Sequence, residues 1–144
     1  MLEIREMRET DLEQVAEIER RTFSEPWTAK GFADSMAQPC TLYLTALFDG
    51  EIAGYCGLFQ SFDEADITNV AVAEAYRGRG VGEAMLRELM VQGSLRGISA
   101  YTLEVRQGNL PARRLYEKLG FEAAGIRKKF YQKPVEDGVI MWKR

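Results

Sequence analysis

The chain contains no histidine and only two cysteines, Cys40 and Cys56, which stand apart without C-x-x-C spacing. A Cys/His zinc site and a Cys–His nucleophile pair are therefore excluded, no metal is expected, and the thiols read as core or surface residues. Basic charge is not in excess: 19 Lys and Arg against 22 Asp and Glu leave a net charge of −3. Broad nucleic-acid binding needs a basic face or stripe, so this balance argues against it, while a cationic substrate is compatible with it. The short basic run Arg127-Lys128-Lys129 reads as the solvated part of an edge strand. Also missing are a long apolar run, an apolar segment behind the N-terminus, a low-complexity window and a fixed-period repeat. The expectation is a cytosolic chain that neither enters the secretory route nor spans a membrane. With 144 residues, 46% of them hydrophobic, what is present suits one domain over residues 1–144 with a sizeable core.

Local signals order the elements. Leu2, Ile4 and Met7 mark a first strand, and Thr10-Asp11-Leu12-Glu13 reads as a capping box that opens a helix with Leu12, Val15, Ile18 and Phe23 on its buried stripe. Pro26 breaks that helix, and Thr28 caps a second, short one. Between them lies a Pro-Trp corner in which Trp27 is either a plug over the core or a wall for a substrate. Residues 41–48 and 51–59 are β-rich and joined by Asp49-Gly50, a hairpin turn; residues 66–72 continue the meander. A helix follows from Val81, a strand runs from Ala100 to Val105, and Asn109-Leu110-Pro111 starts a further helix that Gly120 stops. Residues 121–129 and 139–143 read as closing strands around a loop at 133–138. The predicted fold class is α/β (α+β): a mixed, mostly antiparallel central sheet with helices on both faces.

The meander delivers Val70-Ala71-Val72 into Arg77-Gly78-Arg79-Gly80-Val81-Gly82, and a helix begins at once. Glycines let the backbone approach a ligand closely, successive N–H groups can share one concavity, and the helix adds the positive end of its dipole. The stretch is thus a phosphate cradle, with two arginines supplying full charges. Walker A demands Lys-Ser/Thr after the last glycine, and Glu83-Ala84 stands there. The dinucleotide fingerprint demands a glycine where Glu83 stands, although Glu104 lies near the place of a ribose-binding acid and keeps that alternative open. The form that fits is Arg-x-x-Gly-x-Gly, and in it the sequence resembles the GCN5-related N-acetyltransferases, which hold the pyrophosphate of acetyl-CoA on such a loop.

Glu104 falls near the carboxyl end of a strand, where open α/β sheets place their ligands. It is a candidate general base, and equally a partner for Arg106 or a neighbouring arginine. Tyr116 follows Leu115 on a helix flank; it is a candidate proton donor, or a half-buried tyrosine with its hydroxyl in water. Leu103-Glu104-Val105-Arg106, Leu115-Tyr116-Glu117-x-Leu119-Gly120-Phe121, Gly125-x-Arg127-Lys128-x-Phe130-Tyr131 and the early Phe23-Ser24-Glu25-x-Trp27 together resemble the ribosomal-protein-alanine N-acetyltransferases over nearly the whole chain. The pattern departs from that subfamily at Lys129, Phe130 and Gly138, on the substrate side. The resemblance implies an acetyl-CoA-dependent enzyme that acetylates a protein N-terminus on a ribosomal protein; the charge balance and the lack of a long apolar run add that it binds neither nucleic acid nor a membrane, and the oligomeric state is left open, with a monomer favoured. It assigns Val70, Ala71 and Val72 to the pantetheine arm, Arg77 through Gly82 to the pyrophosphate and Asn109 to the cofactor. Glu104 becomes the base, Tyr116 the acid, and Trp27 and Tyr131 the flanks of the acceptor groove. It also implies that two parallel strands part to admit the cofactor. An α-amine has a pKa of about 7.7–8.0 against about 10.4 for lysine, so presenting a neutral lysine near pH 7 costs roughly 3.5 kcal/mol more. That favours an α-amine acceptor; a lysine or a small-molecule amine is the alternative, and a non-catalytic acetyl-CoA sensor a remoter one.

Overall fold

Asp49 and Gly50 take positive φ values of 50° and 87°, the geometry of a tight hairpin, and they fold β2 (Thr41–Phe48) onto β3 (Glu51–Ser61). The computed structural model describes residues 1–144, and this hairpin lies inside a seven-stranded sheet of order β1-β2-β3-β4-β5-β7-β6. The other strands are β1 (Leu2–Glu6), β4 (Glu64–Val72), β5 (Ala100–Arg106), β6 (Glu122–Gln132) and β7 (Val135–Lys143). The helices are α1 (Leu12–Thr22), α2 (Ala29–Met36), α3 (Val81–Leu95) and α4 (Leu110–Lys118). The expected element order and the mixed, mostly antiparallel sheet are both found. Every neighbouring pair is antiparallel except β4 and β5, which the crossover helix α3 brings side by side.

Alternation along β2 explains why both faces are covered. Leu42, Leu44 and Ala46 join Val81, Met85, Leu86 and Leu89 of α3 in the larger core, whereas Tyr43 and Leu47 turn to the smaller one with Leu12, Val15 and Phe32. Phe32 is fully buried and meets Tyr43 and Tyr55 edge to face, at centroid distances of 6.3 and 5.6 Å. Thr28 caps α2 as expected, its hydroxyl accepting from Gly31 N at 3.1 Å. Strand β6 is the sheet edge, as the basic run predicted, with Arg127 and Lys128 paired to Glu104 and Asp137.

Three local expectations need correction. Thr10 caps nothing: a 3-10 turn, Glu9–Asp11, leads into α1, and the Asp11 carboxylate instead accepts from Arg8 N at 2.8 Å and pairs with Arg5 at 2.7 Å. Phe23 is 41% exposed because α1 ends at Thr22 and the chain is extended there; Glu19 takes the buried place on the stripe. Residues 133–138 are not a loop, since Val135 and Glu136 pair with Gln132 and Tyr131 and so carry β7 almost to the turn.

β4 and β5 are paired only at Glu64↔Ala100, Ala65↔Tyr101 and Asp66↔Thr102. Beyond Asp66 they part, and β5 stays in the sheet through β7, to which it is bonded from Tyr101 to Arg106. The result is a gap in the middle of the sheet that opens toward the carboxyl ends of both strands.

Candidate active site

At the end of β4 the chain makes a 3-10 turn, Glu74–Tyr76, and then the glycine loop. Gly78 and Gly80 have φ values of 78° and 77°, and a Cβ at either would meet nothing within 4 Å. Glycine is therefore required by the backbone and not by crowding, and the concavity in front of the loop is open. The amides of Gly78, Arg79, Gly80, Val81, Gly82 and Glu83 donate to no acceptor in the chain, while those of Arg77 and Ala84 on either side bond to Glu74 O and Gly80 O. An uninterrupted run of free N–H donors at the start of a 15-residue helix is suited to phosphate oxygens. Arg77 donates its Nε to Val72 O at 3.0 Å, and the Arg79 guanidinium lies over the stacked rings of Phe48 and Tyr76, at 5.9 and 5.5 Å. Glu83 would repel an anion here, but Lys118 at 2.8 Å and Arg87 at 3.0 Å offset its charge and hold its carboxyl below the usual range.

The gap continues from this cradle. Ala73 N donates to Ala53 O at 2.7 Å, so strand alternation turns the main-chain groups of Ala71 to β3 as well. Val70 and Val72 turn theirs toward β5, where no strand is paired with them. Of the three residues expected to bind through the backbone, Val70 and Val72 face the gap; Ala71 lies between them with its methyl buried in the smaller core.

Leu103 and Val105 of β5 enter the larger core, which leaves Glu104 and Arg106 on the opposite face of the sheet. Glu104 Oε1 lies 3.4 Å from Arg127 Nε, so the arginine partner is Arg127 and not Arg106. Its other oxygen, Oε2, is buried and without a hydrogen-bond partner. Tyr116 is also more enclosed than a helix-flank position predicts: it is the buried residue of α4, 7% exposed, with its ring 6.0 Å from that of Phe121. A short helix laid across the larger core turns inward whichever side chain reaches the strands beneath, and here Tyr116 does so together with Leu119. Burial, and after it Tyr131 and Cys56, push its phenol well above the ordinary value, which keeps the proton in place. Glu104 and Tyr116 thus approach from opposite faces and can act on one molecule only through the gap. Asn109 caps α4, its Oδ1 accepting from Ala112 N at 3.3 Å.

Outside the gap, the α1–α2 corner holds Trp27, 38% exposed, with its ring 5.2 Å from Phe32. The indole therefore both covers the core and presents a face outward. Glu19, missed in the sequence, fixes this corner: Oε2 accepts from Trp27 N at 3.0 Å and Oε1 from the Tyr55 hydroxyl at 2.5 Å. The available signal was an acid on the apolar stripe of α1, in step with Leu12 and Val15. Across from the corner, Tyr131 of β6 is half-buried, and burial first, then Glu104, raise its hydroxyl. The chain contains no cluster of three metal-ligating side chains, and no helix is long and apolar enough to cross a membrane.

The model of the acetyltransferase (GNAT) family matches residues 12–121. The chain belongs to this acetyltransferase family. A Bacillus subtilis (strain 168) relative is 40% identical over 140 residues, covering 96% of this chain and 93% of its own length. An Escherichia coli (strain K12) relative, named ribosomal protein bS18-alanine N-acetyltransferase, is 36% identical over 129 residues, with 90% and 85% covered. A crystal structure of an Escherichia coli ribosomal-protein-alanine N-acetyltransferase matches with a TM-score of 0.90 and 35% identity, over 99% of this chain and 93% of that one. The dinucleotide alternative falls away: in this acetyltransferase a 3-10 turn separates the loop from its strand, and Glu104 is paired with Arg127.

Proposed function

We propose that this acetyltransferase, as one domain over residues 1–144, transfers the acetyl group of acetyl-CoA to the N-terminal α-amine of a protein. The acceptor in this reading is the N-terminal alanine of a small-subunit ribosomal protein, which is supported by the name of the 36% identical Escherichia coli relative, an N-acetyltransferase of ribosomal protein bS18-alanine. The observation that carries the proposal is the gap between β4 and β5, with a run of free amides in the loop that follows β4 and an unpartnered carboxylate oxygen on β5. The residues present fit the cofactor: Arg77 through Gly82 would hold its pyrophosphate, Val70 and Val72 its pantetheine arm, and Asn109 a further polar contact, while Ala71, bonded to β3, would only space the two valines. Bound acetyl-CoA supplies a thioester that an amine can attack.

The chain's own groups then have separate tasks. Glu104 Oε2 takes the proton that the attacking nitrogen must lose, directly or through one water, while Arg127 holds Oε1. Tyr116, kept protonated by its burial, gives its hydroxyl proton to the sulfur as the carbon–sulfur bond breaks and the carbon–nitrogen bond forms. Trp27 and Tyr131 flank the entering peptide. Direct attack in a ternary complex needs no covalent enzyme intermediate.

CoA release tests this with a short peptide beginning Ala-Arg and with the same peptide blocked at its α-amine but carrying a free lysine. Turnover is expected on the unblocked peptide alone. Glu104→Gln and Tyr116→Phe are each expected to lower kcat by about 10²–10⁴, with acetyl-CoA affinity within about twofold of wild type. Full rates in both variants would remove their assigned roles, and turnover on the lysine peptide would change the acceptor.

A further inference from the structure

The α1–α2 corner and the β6–β7 hairpin bound the acceptor groove, yet they are adjacent neither in the chain nor in the sheet. Arg106, the last residue of β5, touches both. Its Nη2 donates to Ser24 Oγ of the corner at 3.5 Å and to Lys133 O of the hairpin at 3.1 Å. Its Nη1 donates to Pro134 O at 2.9 Å and to Glu136 Oε1 at 3.2 Å, and the guanidinium lies 4.4 Å from the ring centroid of Tyr131. Glu136 is anchored in turn, its Oε2 accepting from Gly108 N at 2.6 Å just beyond β5. Neither candidate for the chemistry belongs to this set: Glu104 pairs with Arg127, and no hydrogen bond joins Arg106 to Tyr116.

We infer that Arg106 is a positioning residue of the acceptor site: it fixes the separation of the walls that carry Trp27 and Tyr131, and so selects acceptors by fit. The inference rests on the acceptor groove proposed above. Its physical basis is the planar fork of the guanidinium, which reaches a hydroxyl, two carbonyls and a carboxylate while stacking on an aromatic ring. A lysine ammonium carries the same charge but cannot satisfy these directions together. Ser24 stands three residues before Trp27, and Tyr131 follows the bulged part of β6 between Arg127 and Tyr131. Arg106 thus bridges the irregular segments on each side from a strand end that β7 holds in the sheet.

The test is steady-state turnover of the Ala-Arg peptide at saturating acetyl-CoA for wild type, Arg106→Gln and Arg106→Lys, with acetyl-CoA affinity measured by calorimetry. Peptide KM is expected to rise about tenfold in both variants, with kcat within about threefold and acetyl-CoA affinity within about twofold of wild type. Equal failure of lysine and glutamine shows that fork geometry, not charge, is used. An unchanged KM in Arg106→Gln overturns the inference; so does a fall of kcat and acetyl-CoA affinity in step with the rise in KM, which is general loosening. If the Arg106 variants do not fold, Glu136→Ala leaves the arginine in place and is expected to raise KM about threefold, and no rise there overturns the inference too. Trp27→Ala and Tyr131→Ala serve as controls: if neither raises peptide KM, the groove assignment has failed and the role of Arg106 falls with it. If they raise KM and Arg106→Gln does not, only the inference is lost.

Discussion

Asp11 shows how one side chain joins local folding to the layout of the molecule. Burial alone would push its carboxyl up, but the Arg5 guanidinium at 2.7 Å, the Arg8 amide at 2.8 Å and the Thr45 hydroxyl together hold it below the usual range. The same carboxylate thereby ties β1, the start of α1 and β2. A carboxyl whose folded pKa lies below its unfolded value, about 3.9, contributes stability at neutral pH and loses it as pH falls through the folded pKa. Asp11→Asn is therefore expected to lower the unfolding free energy by about 2 kcal/mol at pH 7, the scale of hydrogen bonds to a charged group. Urea titrations of both proteins should show the difference shrinking below about pH 4. A difference that persisted unchanged to pH 2 would mean that the charge on Asp11 contributes nothing. Glu19 presents the contrasting case, since its partners are neutral donors, Tyr55 Oη and Trp27 N, and its work is to hold a corner in place.

Among the elements, the glycine loop is the one whose backbone conformation is itself the function. At Gly80 the φ of 77° is reached freely only by glycine, and space for a methyl group is present, so alanine there meets strain and not collision. Gly80→Ala is expected to relax the loop and scatter the free amides. Acetyl-CoA affinity should fall about tenfold, the equivalent of roughly 1.4 kcal/mol, with the unfolding free energy lowered by about 1–2 kcal/mol, the strain of a left-handed alanine. Calorimetry and denaturant titration would measure the two, and a large loss of stability with unchanged affinity would assign the glycine to the fold instead. The loop was legible in the sequence because all its determinants are local, as were the hairpin at Asp49-Gly50, the Asn109 cap and the stop at Gly120. Illegible features depend on distant partners. The burial of Glu19 is explained by Tyr55, 36 residues away, and the reach of Arg106 by Ser24, 82 residues away, and no periodicity encodes either. Thr10 failed as a cap for a related reason: the Asp11 carboxylate binds both Arg8 N and Arg5 of β1, and α1 begins one residue later than a Thr10 cap requires.

Across the whole molecule, the fold separates holding the cofactor from using it. The cradle stands where β4 gives way to α3, Tyr116 comes from α4 on one face, and Glu104 from β5 on the other, so each can be lost without the others. A ligand that binds only the folded chain stabilises it by RT ln(1 + [L]/Kd), about 2.7 kcal/mol at a hundredfold excess over Kd. For a chain of this length, that is a rise in melting temperature of roughly 10 °C. Acetyl-CoA at that excess is expected to produce the rise in wild type and equally in Glu104→Gln and Arg106→Gln, and a smaller one in Gly80→Ala at the same concentration. Added salt should reduce the rise, because Arg77, Arg79 and the amide dipoles hold phosphates through charge at an exposed site. Thermal scans of the variants with and without acetyl-CoA would measure all of this in one experiment, with no turnover needed. If the rise vanished in Glu104→Gln, the carboxylate would belong to the cofactor's grip, and the division between a binding cradle and a reacting gap would not hold.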